Sequence, residues 1–296
     1  MENLILHIIQ GLLVLGIGII AYNITRFIRR EKPDLGSRTQ NIKGFFIGLF
    51  TDTLDTWGIG SFATTTTLFK MTRFLPAEDD AKLPGTMSVG HAIPVIVEAL
   101  FFITAVKVEL TTLIPMTTAA FLGALVGSNI TKNWRINLVR RVLGTLLIVA
   151  AIIMIVRLAL NIGGDVSASV HGLALPWLMA GVCYNFVCGL LMTMGLGNYA
   201  PELVFFSLAG VNPLIALPVM MLDAAAILVT SAHNFIKQKR VMWRGLLAVS
   251  IGGVLGVIFA AKVVTTINLQ VFKIATIVIV VYTGGMLIYE SLTKKA

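Results

Sequence analysis

The stretch TDTLDTWGIGSFATTTTLFKM, Thr51 to Met71, decides how this chain is read. It continues an apolar run that opens at Gly44 and sets Gly58-Ile59-Gly60 in its middle. Glycine weakens a helix interior, and two glycines one residue apart mark a turn. Asp52 and Asp55, three residues apart just before the turn, share one face of a helix. Ser61 and the hydroxyl run Thr64 to Thr67 follow it. Gly44–Met71 therefore reads as an apolar helix broken at its centre.

Working outward, the whole chain has the composition such a helix needs. Of 296 residues, 57% are hydrophobic and only 12% charged, with a mean hydropathy of +0.90. A soluble domain is about 45–50% apolar and about one quarter charged. This excludes an ordinary soluble enzyme, a disordered chain, a coiled coil and a disulfide scaffold, and leaves a lipid bilayer as the solvent. Seven further segments have the length and apolarity of membrane spans: Leu4–Ile24, Gly85–Val106, Leu110–Asn129, Leu138–Leu160, Pro213–Phe235, Gly245–Ala261 and Gln270–Tyr289. A second broken stretch, Gly181–Gly210, carries Gly195-Leu196-Gly197. The first run is too long for a signal-peptide core, lacks its basic flank and is read as a retained helix. Cys183 and Cys188 lack zinc-ligand or CxxC spacing and read as small core residues.

The net charge of +9, from 23 Lys and Arg against 14 Asp and Glu, is what loops facing the cytoplasm carry, so nucleic acid is set aside as a partner. The basic residues gather after the first helix (Arg26, Arg29, Arg30, Lys32, Arg38, Lys43), at Lys132 to Arg141, at Lys237 to Arg244 and at Lys294 and Lys295. The positive-inside rule places all four groups on one side. Three full crossings between the first two groups would separate them. Two crossings and one hairpin that dips in and returns keep them together, and the same count works for Gly181–Gly210. Nine true crossings would leave Arg140 and Arg141 outside.

The two broken stretches also resemble each other. Gly44 through Ser61 aligns with Gly181 through Asn198 at a constant offset of 137, and Gly123-xxx-Gly127 matches Gly252-xxx-Gly256. Glu98 and Asp223 fall at equivalent places, four or five residues after Pro94 and Pro218. The expected fold is an all-α integral membrane protein of two inverted-topology repeats. Each is a broken, re-entrant hairpin plus three transmembrane helices, residues 44–162 and 163–296. An extra N-terminal transmembrane helix and basic loop, 1–43, precede them. Inverted repeats with paired broken helices belong to secondary transporters.

Gly58-x-Gly60-x-x-Ala63 and its partner formally match a dinucleotide fingerprint, but neither follows a strand in a βαβ unit. Each turn instead starts a half-helix, with Ser61 or Asn198 as expected N-cap, whose free amides and positive dipole end suit an anionic group. The expected substrate-binding residues are Gly58, Ile59, Gly60, Ser61, Gly195, Leu196, Gly197 and Asn198. Acids inside apolar segments are costly and mark pathways or pairs; Asp52, Asp55, Glu98 and Asp223, with His91 seven residues before Glu98, are the expected coupling residues. The bland readings are a polar lock between helices for Glu98 and Asp223, a packing histidine for His91, and a first-turn dipole partner for Glu202. The paired Gly-xxx-Gly motifs read as close helix packing. No catalytic constellation, cofactor motif or metal-ligand spacing is present.

At Gly44-Phe45-Phe46-Ile47-Gly48, Gly58-Ile59-Gly60 and Gly195-Leu196-Gly197 the chain resembles the sulfite exporter TauE/SafE family, over nearly all its length after about residue 40. The resemblance implies a multi-pass permease of a prokaryotic inner membrane, with basic loops and C-terminus cytoplasmic. It implies transport of sulfite, an organosulfonate or another small organic anion by alternating access, with coupling to protons or a cation. Ser61 and Asn198 stand where that family's turn has a further glycine. A cation or proton transporter, a membrane-embedded enzyme and a channel are the rival readings.

Overall fold

The structure is a computed structural model that describes residues 2–130, 134–160, 171–211, 213–264 and 269–293. Among these residues it is all helical. The helices are α1 (Glu2–Glu31), α2 (Arg38–Thr56), α3 (Ser61–Met71), α4 (Leu83–Ala105), α5 (Leu110–Ile130), α6 (Ile136–Ala159), α7 (Leu175–Met192), α8 (Tyr199–Leu208), α9 (Ala216–Lys237), α10 (Leu246–Val264) and α11 (Leu269–Thr293). Seven of them, α1, α4, α5, α6, α7, α9 and α11, are long and apolar enough to cross a membrane. The expected span Gly245–Ala261 is a shorter apolar helix within α10, and α7 alone has the length of a span although the sequence reads it as half of a broken segment. Lipid-type exposure of large apolar side chains runs along α1 and α6, where Leu12, Leu15, Leu146 and Ile152 all lie open.

The chain forms two compact units, Met1–Ala105 with Ala224–Thr265, and Val106–Asp223 with Thr266–Ala296. These are defined by contact, whereas the boundaries at 43/44 and 162/163 are defined by likeness along the chain. Each unit is built round one broken hairpin.

In the first unit α2 opens with a capping box, in which Ser37 accepts from the Gln40 amide and the Gln40 side chain accepts from Ser37. It then lies along α10. A Cβ on Gly48 would come within 2.0 Å of the Val249 carbonyl oxygen, and one on Gly252 within 2.0 Å of that of Phe45; Gly256 meets Leu49 in the same way. The contacts rise in number along both helices, so α2 and α10 run parallel. α3 reverses direction: its Thr65 meets His91 while its Thr66 meets Met87. Phe74, just past α3, lies against Gly44 and Gly245 at the starts of α2 and α10. The hairpin thus ends where it began. Phe27 stacks on Trp243 at 4.9 Å, Lys239 pairs with Glu31 and Arg244 with Asp34. The basic ends of α1, α9 and α10 therefore lie together, and Trp243 is buried among them.

The second unit repeats the plan with other helices. α7 lies along α5, with Gly189 against the Ala120 carbonyl, Gly123 against that of Phe186 and Gly127 against Thr193. α8 turns back, so that Phe205 meets Trp177, Tyr184 and Gly181 near the start of α7. Arg157 of α6 donates to the carbonyls of Ser207 and Leu208 at the C-terminal end of α8, where a cation offsets the helix dipole. α6 and α11 run antiparallel, with Gly144 on Gly284 and Arg140 on Glu290.

The breaks themselves are alike bond for bond. Gly58 donates to Asp55 and Ile59 to Leu54; 137 residues on, Gly195 donates to Met192 and Leu196 to Leu191. Both are Schellman closures, and the φ of +88° at Gly58 and +83° at Gly195 is why glycine stands there. The returning arms close in the same manner, Phe74 to Phe69 and Val211 to Phe206.

Gly252→Ala puts a methyl against the Phe45 carbonyl and must push α2 off α10; the expected loss is about 1–3 kcal/mol, read as a lower thermal midpoint in detergent. Gly18→Ala, whose Cβ meets nothing within 4 Å, leaves the midpoint unchanged or raises it. Equal effects at the two positions would contradict the glycine-mediated contact.

Candidate functional site

Each hairpin carries a buried polar cluster on its own unit. In the first, Asp52 on α2 faces His91 on α4, with Nδ1 at 2.9 Å and 3.0 Å from the two carboxylate oxygens. Thr65 on α3 lies 2.9 Å from Nε2. The carboxylate takes the Nδ1 proton, so Nε2 accepts from Thr65 when the ring is neutral and donates to it when the ring is charged. All three side chains have no solvent exposure. One turn on, the Thr56 hydroxyl lies 2.7 Å from the Asp52 carbonyl oxygen and 2.8 Å from Glu98 Oε1, which ties α4 to α2 a second time.

The break is satisfied by a side chain from across it. Asp55 Oδ1 accepts the Ser61 amide at 2.5 Å, so the positive end of α3 holds a carboxylate of the same hairpin. The other oxygen, Asp55 Oδ2, is buried without a hydrogen-bond partner among the described residues. Pro94 adds a further repair: its ring nitrogen cannot donate to the Gly90 carbonyl, and Ser250 Oγ donates there instead at 2.7 Å.

In the second unit Asp223 accepts from Thr117 Oγ1 of α5 at 2.5 Å and from Asn185 Nδ2 of α7. Glu202, in the first turn of α8, lies beside Asp223. It accepts from Asn198 Nδ2 at 2.6 Å, and the same amide group lies 3.1 Å from the Met220 carbonyl oxygen. Asn185 Oδ1, Asn198 Oδ1 and Glu202 Oε2 are buried without hydrogen-bond partners among the described residues.

The structure gathers Asp52, His91, Asp55 and Ser61 in one place and ties Glu98 to them through Thr56. It places Asp223, Asn198 and Leu196 in the other unit's cluster or at its turn. His91 hydrogen-bonds Asp52 of α2, so it is not a lone packing histidine. The expected N-caps differ as well. Gly60, not Ser61, is the cap residue of α3, and Asn198 caps α8 without a side-chain bond to its amides. Asp55 accepts the Ser61 amide from across the turn, and the Asn198 side-chain amide group donates to Glu202.

Thr56, Thr117 and Asn185 join the clusters although the sequence points to none of them as a site, while Thr65 comes from the hydroxyl run after the first turn and Glu202 is one of the acids inside apolar segments. Asn185 had a signal, a lone amide inside the apolar α7. Glu202, read as a dipole partner because it follows Pro201, is wholly buried. Cys188 is buried and Cys183 exposed. No group of three or more His, Cys, Asp or Glu that could hold a metal ion occurs among the described residues. No family model, curated protein or solved structure matches this chain.

Removing one partner of the buried Asp52–His91 pair leaves the other uncompensated, so Asp52→Ala and His91→Ala are each expected to cost about 3–5 kcal/mol. The double variant should lose clearly less than the sum in a double-mutant cycle of thermal or denaturant unfolding. Additive losses would contradict the pair.

Proposed function

We propose that the protein is a multi-pass secondary transporter of a small anion, built as two inverted-topology repeats and working by alternating access. The observation that carries this reading is the matched pair of hairpin breaks, closed by the same hydrogen bonds 137 residues apart. Three long helices, α4, α5 and α6, separate them. An odd number of crossings inverts the second hairpin relative to the first. Backbone broken within a bilayer is tolerated where it is buried or lines a cavity, and transporters place substrate at such breaks. The basic ends gathered in the first unit agree with a cytoplasmic face there.

The turns leave room for a solute. A Cβ on Gly60 or on Gly197 meets no atom within 4 Å. The half-helix starts and the resemblance to the TauE/SafE family support an anion such as sulfite or an organosulfonate. Yet each hairpin carries its own carboxylate at that start, Asp55 at α3 and Glu202 in α8. An anion arriving alone meets like charge; one arriving with a proton or a cation does not. Coupling to a positive ion is therefore part of the reading. A cation or proton transporter is the second reading, favoured by the unpartnered buried acceptors of Asp55, Asn185, Asn198 and Glu202.

Flux of labelled sulfite and small sulfonates into proteoliposomes tests the proposal, with candidate cations as competitors. Gly197→Leu is the sharpest variant, because its backbone is not left-handed and its side chain points into open space. It should keep the wild-type thermal midpoint and lose at least about tenfold in flux, a transition-state or binding change of about 1.4 kcal/mol. Full flux through a folded Gly197→Leu protein would remove the turn from the pathway, and flux of cations without any anion would replace the first reading by the second.

A further inference from the structure

We propose that Glu202, Asp223, Asn185 and Asn198 form a binding site for a monovalent alkali-metal cation, sodium. The inference rests on the transporter reading, in which it names the coupling ion and its ligands.

All four side chains are within 1% of full burial. Their donors are spent on one another: the Asn185 amide group donates to Asp223, and that of Asn198 to Glu202, with the Met220 carbonyl beside it. Thr117 gives its proton to Asp223 as well. What is left over is of one kind. Asn185 Oδ1, Asn198 Oδ1 and Glu202 Oε2 are all acceptors, and none has a partner among the described residues. Acceptor oxygens left without an amide or hydroxyl donor in one buried cluster are costly unless something positive fills them.

The charge balance points the same way. None of the ion pairs among the described residues involves Glu202 or Asp223. The first unit's Asp52 has His91 as its counter-charge; the second unit's cluster has two carboxyl groups side by side and, among the described residues, no ion pair with a basic side chain. Buried carboxylates need a cation, and this cluster lacks one of its own. Carboxylate and amide oxygens, with no imidazole or thiolate, select a hard ion. The Glu202 and Asp223 carboxyl groups hydrogen-bond each other; the one proton this requires leaves a single negative charge, which a monovalent cation neutralises and a divalent one exceeds. The location also fits: Asn198 stands at the hairpin break and Asn185 and Asp223 on the helices beside it, the kind of place where transporters coordinate sodium with interrupted helices.

The test is binding, not flux. The purified full-length protein is titrated with sodium chloride at constant ionic strength made up with choline chloride, at mildly alkaline pH, while its thermal midpoint is followed and sodium uptake is counted by equilibrium dialysis with the radioactive ion. The expected result is a saturable rise of the midpoint with sodium and about one ion bound per chain. Glu202→Gln should raise the half-saturating sodium concentration at least about tenfold, since ligand charge tunes affinity. Asn198→Ala, which keeps both carboxyl groups, should weaken it in the same direction and serves if Glu202→Gln does not fold. Asp34→Asn, at an exposed ion pair, should leave the response as it is. Identical midpoints in sodium and choline with no ion bound would mean that protons alone fill the carboxyl groups and would overturn the site, as would a sodium response that survives Asn198→Ala and Glu202→Gln. Sodium binding by a protein that passes no anion would keep the site and sink the transport reading.

Discussion

A helix interrupted inside hydrocarbon exposes amides and carbonyls that no water can reach, and each one left bare costs several kcal/mol. The hairpin breaks are arranged round that constraint. At Gly58 and Gly195 the last turns of α2 and α7 close on themselves through Schellman bonds, which removes two carbonyls and two amides from the account. The start of α3 is closed by Asp55, reaching across the turn to Ser61. The Gly90 carbonyl that Pro94 leaves without a donor is taken by Ser250. Acidic and hydroxyl side chains that look out of place in so apolar a chain are thus first of all the means by which its backbone is broken safely. In the proposed reading their second use, holding a proton or an ion, rests on what that closure leaves unpaired.

A broken arm needs a neighbour to hold it in place. In both units that neighbour is a helix presenting glycines spaced by four, α10 to α2 and α5 to α7, so close that a single methyl would strike a carbonyl oxygen. Between helices in lipid the hydrophobic effect gives no net drive, and close van der Waals contact through small residues takes its place. The glycines that soften a helix by propensity therefore stiffen the hairpin by proximity. Long first arms, shorter second arms and a positive-φ turn between them place each break beside a polar cluster.

The all-helical, multi-span character and the two matched breaks were legible because they are written in features with long reach along the chain: apolar length and two glycine turns at one offset. Reading α2 and α3 as a reversing pair needed only the count of crossings, and the contacts of Phe74 and Phe205 bear out the reversal. The Gly-xxx-Gly faces were legible as close contacts but not their partners, which lie more than 50 residues away. The site was legible by residue type and not by pairing. Asp52 and His91 are 39 residues apart and Asn185 and Asp223 are 38 apart, distances over which periodicity carries no information. Glu202 was missed for a physical reason: an acid in a first helical turn is usually a solvated dipole partner, and only burial beside Asp223 distinguishes it. The cap expected at Ser61 failed because residue type does not fix where the helix begins: Gly60 holds that place, and the Ser61 amide is already inside α3.

The central claim is that each hairpin leaves the membrane on the side it came from, and that the two sides are opposite. Single cysteines, introduced in a protein with Cys183 and Cys188 replaced by serine and labelled in sealed vesicles with a reagent that cannot cross the bilayer, test it most directly. The account predicts that Leu35→Cys and Arg73→Cys, which flank the first hairpin, react from the same side as the C-terminus, while Ala174→Cys and Ala209→Cys, which flank the second, react together from the other side. Labelling of residues 35 and 73 from opposite sides would make the first hairpin a full crossing and contradict the account.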